Sequence, residues 1–384
     1  MSSGHIRPRS AGSWEIKYDL GRDLLTGRRI TRYRTIHGSK RDAQRELRRL
    51  LTAVDEGTHV DPGKLTVGEW LKQWLEDAQH RVSRKTLERY REIVEKHLAP
   101  ALGAVPLGKL QPVHIQNYYA RALTSGRRDG KGGLSRQTVI HHDRVLHVAL
   151  KRARAVRLIS SNPVEDVERP KVERREIEVL EPEEAAALLK AADGTRLHAP
   201  IFLALATGLR RGELLALRWN DIDLDRGTLT VNRSLEQTRD GLRFKPPKTK
   251  RSRRTIALSP SVIEILQAHK VRQLKVRIAL GLGRNESGLV FTRHDGDLVN
   301  PRNFSKEFTR LVKRAGGRPI TFHGLRHTHF TNLLREGVHP KIASERAGHA
   351  SIAITMDVYS HAVPGLQEEA ALLIDASLRK ALGQ

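Results

Sequence analysis

The chain has no cysteine, only 2 methionines, and just 4% aromatic residues among its 384 positions. The first absence removes disulfide frameworks, thiolate catalysis and zinc sites built on sulfur. Long apolar runs are missing too: no segment approaches the roughly eighteen apolar residues of a membrane span. The opening MSSGHIRPRS lacks the apolar core of a secretory signal. A cytoplasmic protein without a membrane partner is expected. Acidic side chains are few beside basic ones, 43 against 69, which leaves a formal charge of +26. Such an excess predicts a polyanionic partner, nucleic acid first, with an affinity that falls steeply as salt releases fewer counterions. What is present is enough to fold. Hydrophobic residues make up 38% of the chain, and its length suggests two or three domains.

The chemistry-bearing residues crowd into 321–361, TFHGLRHTHFTNLLREGVHPKIASERAGHASIAITMDVYSH. A helix begins near Phe322 and stops at Gly337, where a left-handed residue can end it. Pro340 opens a second helix that stops at Gly348, and Ser351 is a good N-cap for a third that carries Tyr359 in its last turn. His323 and Arg326, three apart, project from one helical face. Two tight turns can fold His349 and Tyr359 back towards them. A guanidinium grips nonbridging phosphate oxygens, imidazoles donate single hydrogen bonds, and a phenol can act as nucleophile. Alternatively, His323, His327 and His329 could hold a metal. The zinc-protease form of that spacing, however, needs a Glu where Gly324 stands.

The order H-x-x-R, then Gly-His, then Tyr ten residues later resembles the C-terminal signature of tyrosine recombinases, the phage integrase family. Upstream, the apolar run 201–207 (IFLALAT) breaks at Gly208, and the following LRRGEL resembles the family's first signature box. That resemblance assigns the catalytic arginine to Arg210, with Glu213 as its supporting carboxylate. The residues alone allow Glu213 a second role, neutralising the start of the next helix. Arg211 is expected at the surface. In 244–258, FKPPKTKRSRRTIAL, six basic residues occur without an acid. As a charge run it reads as a solvated DNA contact made by Lys245, Lys250, Arg251, Arg253 and Arg254. The P-K-T followed by S-x-R-x-I-x-L resembles the family's β-hairpin, whose active-site lysine falls on Lys248.

Three domains are expected. Residues 1–62 contain two alternating runs, 14–20 and 29–36, and then a helix; Lys17, Arg29, Arg32 and Arg34 could lie in a DNA groove, as in the family's arm-binding domain. Residues 65–171 read as four helices with a basic face that includes Arg84, Lys85 and Arg89, and resemble the SAM-like core-binding domain. A proline- and charge-rich linker spans 160–175. Residues 176–384, with a strand at 228–232 and another at 289–292, resemble the mixed α+β catalytic domain. The fold class is thus multidomain, mainly α with small β-sheets.

By resemblance, the function is site-specific recombination through a 3′-phosphotyrosyl link. The catalytic set would be Arg210, Lys248, His323, Arg326, His349 and Tyr359, with neither metal, ATP nor other cofactor. Implied partners are double-stranded DNA attachment sites, further copies forming a homotetramer on two duplexes, a DNA-bending protein and a directionality factor. An apolar stripe beyond Pro364 would dock on a neighbouring copy. The rivals are a type IB-like topoisomerase, a non-catalytic DNA-binding regulator, and a metal nuclease.

Overall fold

In the computed structural model, residues 4–22, 27–55, 65–173, 178–247, 253–283, 285, 287–348, 351, 356 and 366–382 are described. The chain divides into two compact units, Met1–Glu173 and Arg174–Gln384. The first unit contains two separate hydrophobic cores.

Strands β1 (Gly4–Ser10), β2 (Ser13–Arg22) and β3 (Arg29–His37) form an antiparallel sheet in that order. Helix α1 (Lys40–Asp55) covers one face, so that Ile16 and Tyr18 meet Ala43 and Leu50. The strand period of two sends Ile16 and Tyr18 inward and Lys17 outward. Sequence alternation reveals β2 and β3 but misses β1, whose GHIRPRS offers Ile6 alone to the core. Pairing with β2, with Ile6 opposite Ile16, makes it a strand.

Register corrects the grouping of the four basic positions. Lys17 lies opposite Tyr33, its ammonium 5.8 Å from the ring centre, and Arg29 shares that open face, paired with Asp19. Arg32 lies opposite Tyr18 and Arg34 opposite Ile16, on the side covered by α1. Arg34 accordingly meets Glu46 of α1 at 2.7 Å. Counting basic residues along a strand cannot separate the two faces; parity does.

The second core is helical: α2 (Val67–Ala78), α3 (Arg84–Ile93), α4 (Ala99–Leu102), α5 (Pro112–Ser125) and α6 (Arg136–Ala155). A reciprocal cap starts α2, with the Thr66 hydroxyl accepting from Glu69 N and the Glu69 carboxylate from Thr66 N. Trp70, Leu71, Trp74, Tyr119, Leu146 and Leu150 fill the interior. Helix α3 ends at Ile93, where a π turn over Val94–Leu98 brings the His97 ring to 4.5 Å from that of His142. Arg84, Lys85 and Arg89 are exposed on α3, Arg89 beside Glu92 at 2.9 Å. Asp143 is buried, its oxygens held by the Tyr119 hydroxyl at 2.8 Å and Arg169 at 3.0 Å.

The second unit begins with α7 (Pro182–Ala192), α8 (His198–Thr207) and α9 (Arg211–Leu214). Strands β4 (Ile222–Asp223), β5 (Thr228–Val231) and β8 (Arg254–Ala257) make one antiparallel sheet, and β6 (Ser234–Thr238) and β7 (Gly241–Lys245) make a hairpin. Then follow α10 (Pro260–Ala279), α11 (Pro301–Arg314), α12 (Phe322–Arg335), α13 (Pro340–Ala347) and a last helix, Leu366–Leu382. Because α8 is apolar around its circumference it runs through the core, touching α7, α10 and α12. The strand expected at 289–292 is reduced to single bridges, Arg218 with Leu289 and Thr292 with Leu298. Side chains of α10 take its carbonyls instead: Gln273 donates to Leu289 O and Val290 O, both at 3.1 Å. No helix among the described residues is long and apolar enough to cross a membrane.

Candidate active site

Helix α12 positions two of the expected residues. The Thr321 hydroxyl accepts from Gly324 N at 3.2 Å and starts it. One turn in, Arg326 points into the protein, 2% exposed, while His323 is exposed. The Arg326 guanidinium donates through Nη1 to Gly208 O and through Nη2 to Ala347 O, each at 2.6 Å. It also lies 4.9 Å from the Phe330 ring centre. It thereby joins the C-terminal ends of α8 and α13. Gly208 ends α8 at φ +64°, and a Cβ there would come within 2.7 Å of His329 and Phe330. Only glycine suits that turn.

Arg210 follows two residues later, caps α9, and keeps 38% of its side chain exposed. Glu213 serves it twice: Oε2 accepts from Arg210 N at 3.0 Å and Oε1 from Arg210 Nη1 at 2.8 Å. The same carboxylate receives Arg254, Nη2 to Oε2 at 2.9 Å and Nη1 to Oε1 at 3.3 Å. Burial alone would raise the Glu213 pKa, but the Arg254 hydrogen bond and the charges of Arg254 and Arg210 outweigh it and bring it to about 2. Arg254 is therefore no exposed DNA contact, as the charge run suggested, but is 9% exposed. A buried carboxylate requires a paired cation, and this arginine supplies it.

The His323 imidazole has a lowered pKa: desolvation acts first, then the charges of Arg326, Arg210 and Arg211, with Glu213 opposing. The ring is thus neutral at pH 7 and able to accept a proton. Its neighbour His327 stands edge-on at 4.8 Å and is pushed down to about 4, chiefly by burial. Arg211, expected at the surface, is half-buried and donates to the Ser305 hydroxyl. His329 belongs to the framework: Nδ1–H donates to Leu205 O at 2.7 Å, Nε2 accepts from Arg346 Nε at 3.2 Å, and burial takes its pKa down to about 3.

The hairpin is fastened to this turn. A Cβ at Gly212 would lie 2.5 Å from Ser234 Oγ and 2.7 Å from Leu235 O, so α9 and β6 meet backbone to backbone. Lys245, read as a DNA contact, turns to the buried Glu236. Arg253 is exposed and donates to Asn232 Oδ1 at 2.9 Å. Lys248, Lys250, Arg251, His349 and Tyr359 lie outside the described residues, as does the third helix expected after Ser351. Arg210, His323 and Arg326 come together around Gly208. Sequence reading missed the support Arg346, because an arginine within a helix carries no motif, and it offered His329 only as a metal ligand, whereas both ring nitrogens are taken by Leu205 O and Arg346.

Residues 178–364 match the phage integrase family, and residues 66–123 match the N-terminal SAM-like domain of phage integrases. A XerC-like tyrosine recombinase of Caldanaerobacter subterraneus subsp. tengcongensis is 30% identical over 373 residues, 91% of this chain and 93% of that protein. The chain belongs to the phage integrase family of tyrosine recombinases. Another relative of this recombinase is an integrase of Streptomyces ambofaciens, 29% identical over 380 residues, 96% of this chain and 94% of the relative. Its fold is that of the Tn1549 transposon integrase (TM-score 0.67, 22% identity, 81% of this chain and 99% of that one) and of a lambda integrase dimer (TM-score 0.57, 22% identity, 92% and 94%). The multidomain, mainly α architecture is the family's. The recombinase is a DNA strand-exchange enzyme that acts at specific sites.

Proposed function

We propose that this recombinase cuts and rejoins DNA with Tyr359 as nucleophile and integrates and excises a phage or other mobile element. The observation that carries the reading is the gathering of a half-exposed Arg210, an exposed His323 and a fixed Arg326 around one turn. Arg210 and His323 receive the scissile phosphate, and Arg326, keeping its hold on the Gly208 turn, lends its positive charge from within the fold. His349 adds a further donor. Together they oppose the charge of the pentavalent transition state, each donor contributing about 10²–10³ in rate. The Tyr359 phenol has an ordinary pKa of about 10 and must lose its proton to attack; His323 takes it. The Tyr359 Oη–P bond forms, the P–O5′ bond breaks, and Lys248 protonates the leaving oxygen. The 3′-phosphotyrosyl ester keeps the bond energy for religation, without metal or nucleotide.

Residues 1–62, 65–171 and 176–384 act as arm-binding, core-binding and catalytic domains. Lys17, Arg29, Arg84, Lys85, Arg89, Lys250, Arg251 and Arg253 hold phosphates. Four copies assemble on two cytoplasmic duplexes, helped by a bending protein and a directionality factor. Ile374 and Leu378, exposed on the last helix, support its docking on a neighbour.

The test is a supercoiled plasmid carrying two copies of the DNA that flanks the gene, incubated with the protein in chelator without ATP. Recombinant circles are expected. A relaxed ladder alone would favour the topoisomerase, and DNA retardation without any product the regulator.

A further inference from the structure

Glu213 stands between two arginines, and the mechanism above uses only one of them. The other, Arg254, opens β8 and engages the same two carboxylate oxygens that hold Arg210. Its Nε reaches past them to Arg346 O at 2.7 Å. Arg346 itself donates to Ala206 O in α8 and to His329 in α12, and the next residue, Ala347, accepts from Arg326. Gly348 completes the contact: the Cβ it lacks would sit 3.1 Å from Arg254 Nη1, and its φ of +63° ends α13 immediately before His349. One buried side chain therefore joins β8, which carries it, to the Arg210 turn and the end of α13.

We propose that Arg254 is a positioning residue for phosphodiester cleavage, fixing the Glu213 carboxylate and through it the Arg210 guanidinium, and setting the end of α13 against β8. The proposal rests on the reading of Arg210 as a phosphate ligand. A carboxylate gripped from one side by a guanidinium fork has its remaining lone pairs aimed, and those lone pairs orient Arg210. Without Arg254 the groups facing Glu213 are Arg210 from its own turn and His323 from α12, while Arg346 of α13 faces Arg254 itself. From β6, Ser234 and Leu235 approach at Gly212 and do not titrate, and Glu236 is taken by Lys245. Burial then favours the neutral acid, and a protonated Glu213 holds Arg210 loosely. The lost order returns as pH rises.

The experiment traps covalent protein–DNA adduct on nicked duplexes tiled across the DNA flanking the gene, between pH 6 and pH 8.5, alongside gel retardation and thermal melting. Arg254→Met should slow adduct formation by about 10²-fold at pH 7, the scale of losing one oriented donor, with DNA retardation kept. Its deficit should shrink towards pH 8.5, a dependence that wild type lacks. Arg254→Lys keeps a cation without the fork, so it should restore the wild-type pH profile while remaining slower than wild type. The double variant Arg254→Met/Glu213→Gln should be slow at every pH without the added dependence. Should Arg254→Met not fold, the double variant decides, and a wild-type rate in it overturns the proposal. So does an Arg254→Met whose rate and pH profile match wild type, or whose loss is the same at every pH. Adduct formed by Tyr359→Phe would overturn the underlying mechanism instead, which keeps the two failures apart.

Discussion

Arg326 and Gly208 are separated by 118 residues and joined by a hydrogen bond of 2.6 Å. The carbonyl that Arg326 grips belongs to the turn that launches Arg210, so one contact sets the spacing of two cations. Gly208→Ala would place a methyl 2.7 Å from His329 and Phe330 at a left-handed φ. Strain and overpacking together should cost about 2–4 kcal/mol. Urea unfolding of the variant checks this, and adduct formation should drop more than the unfolded fraction explains. A stability equal to wild type would mean that the turn is not held as described.

Acid should destabilise the protein, beginning well above the carboxylate range. His142 and His329 are each driven by burial to about 3 in the fold, against an ordinary value near 6.5. Above 6.5 both states leave them neutral. Below it the unfolded chain takes up protons that the fold refuses, so stability falls by up to about 1.4 kcal/mol per pH unit for each, until the folded value near 3 is reached. Glu213 adds to the loss from about 4.5 down to about 2, because there the unfolded carboxylate protonates first. Urea midpoints at pH 7.5 and pH 5 measure the effect, and His142→Asn should lessen it for Met1–Glu173. Midpoints that stay level or rise on acidification would contradict the burial of these rings.

The Asp143–Arg169 pair should be asymmetric. Asp143 is 2% exposed and also accepts from the Tyr119 hydroxyl, whereas half of the Arg169 side chain meets solvent. Asp143→Ala leaves a buried hydroxyl unpartnered and should cost about 2–4 kcal/mol. Arg169→Gln should cost less than about 1 kcal/mol, because water replaces the cation's side of the pair. Equal losses in the two variants would place the energy in the ion pair rather than in the buried network.

Much of this was legible from spacing. The breaks at Gly208, Gly337 and Gly348 are local chemistry, and helices α8, α12 and α13 stop where those glycines allow. His323 and Arg326 share a face because of helical period alone. What escaped depends on partners distant in sequence. The run from Lys245 to Arg254 looks uniformly solvated until Glu213, forty-one positions upstream of Arg254, is seen to need a counterion. Arg32 and Arg34 looked like companions of Lys17 until register separated the faces. Strand β1 has one inward apolar residue, and the backbone at 289–292 bonds to Gln273 rather than to a strand. Neither is encoded within its own segment.

The central claim is that Tyr359 becomes joined to DNA. A nicked duplex from the flanking DNA, incubated in chelator with wild type and with Tyr359→Phe and then denatured, tests it most directly. The account predicts a denaturant-resistant adduct with wild type, removed by nuclease, and none with the variant, while both retard the duplex equally. Adduct formation by Tyr359→Phe would contradict it, and so would wild-type adduct that appears only when a divalent metal is supplied.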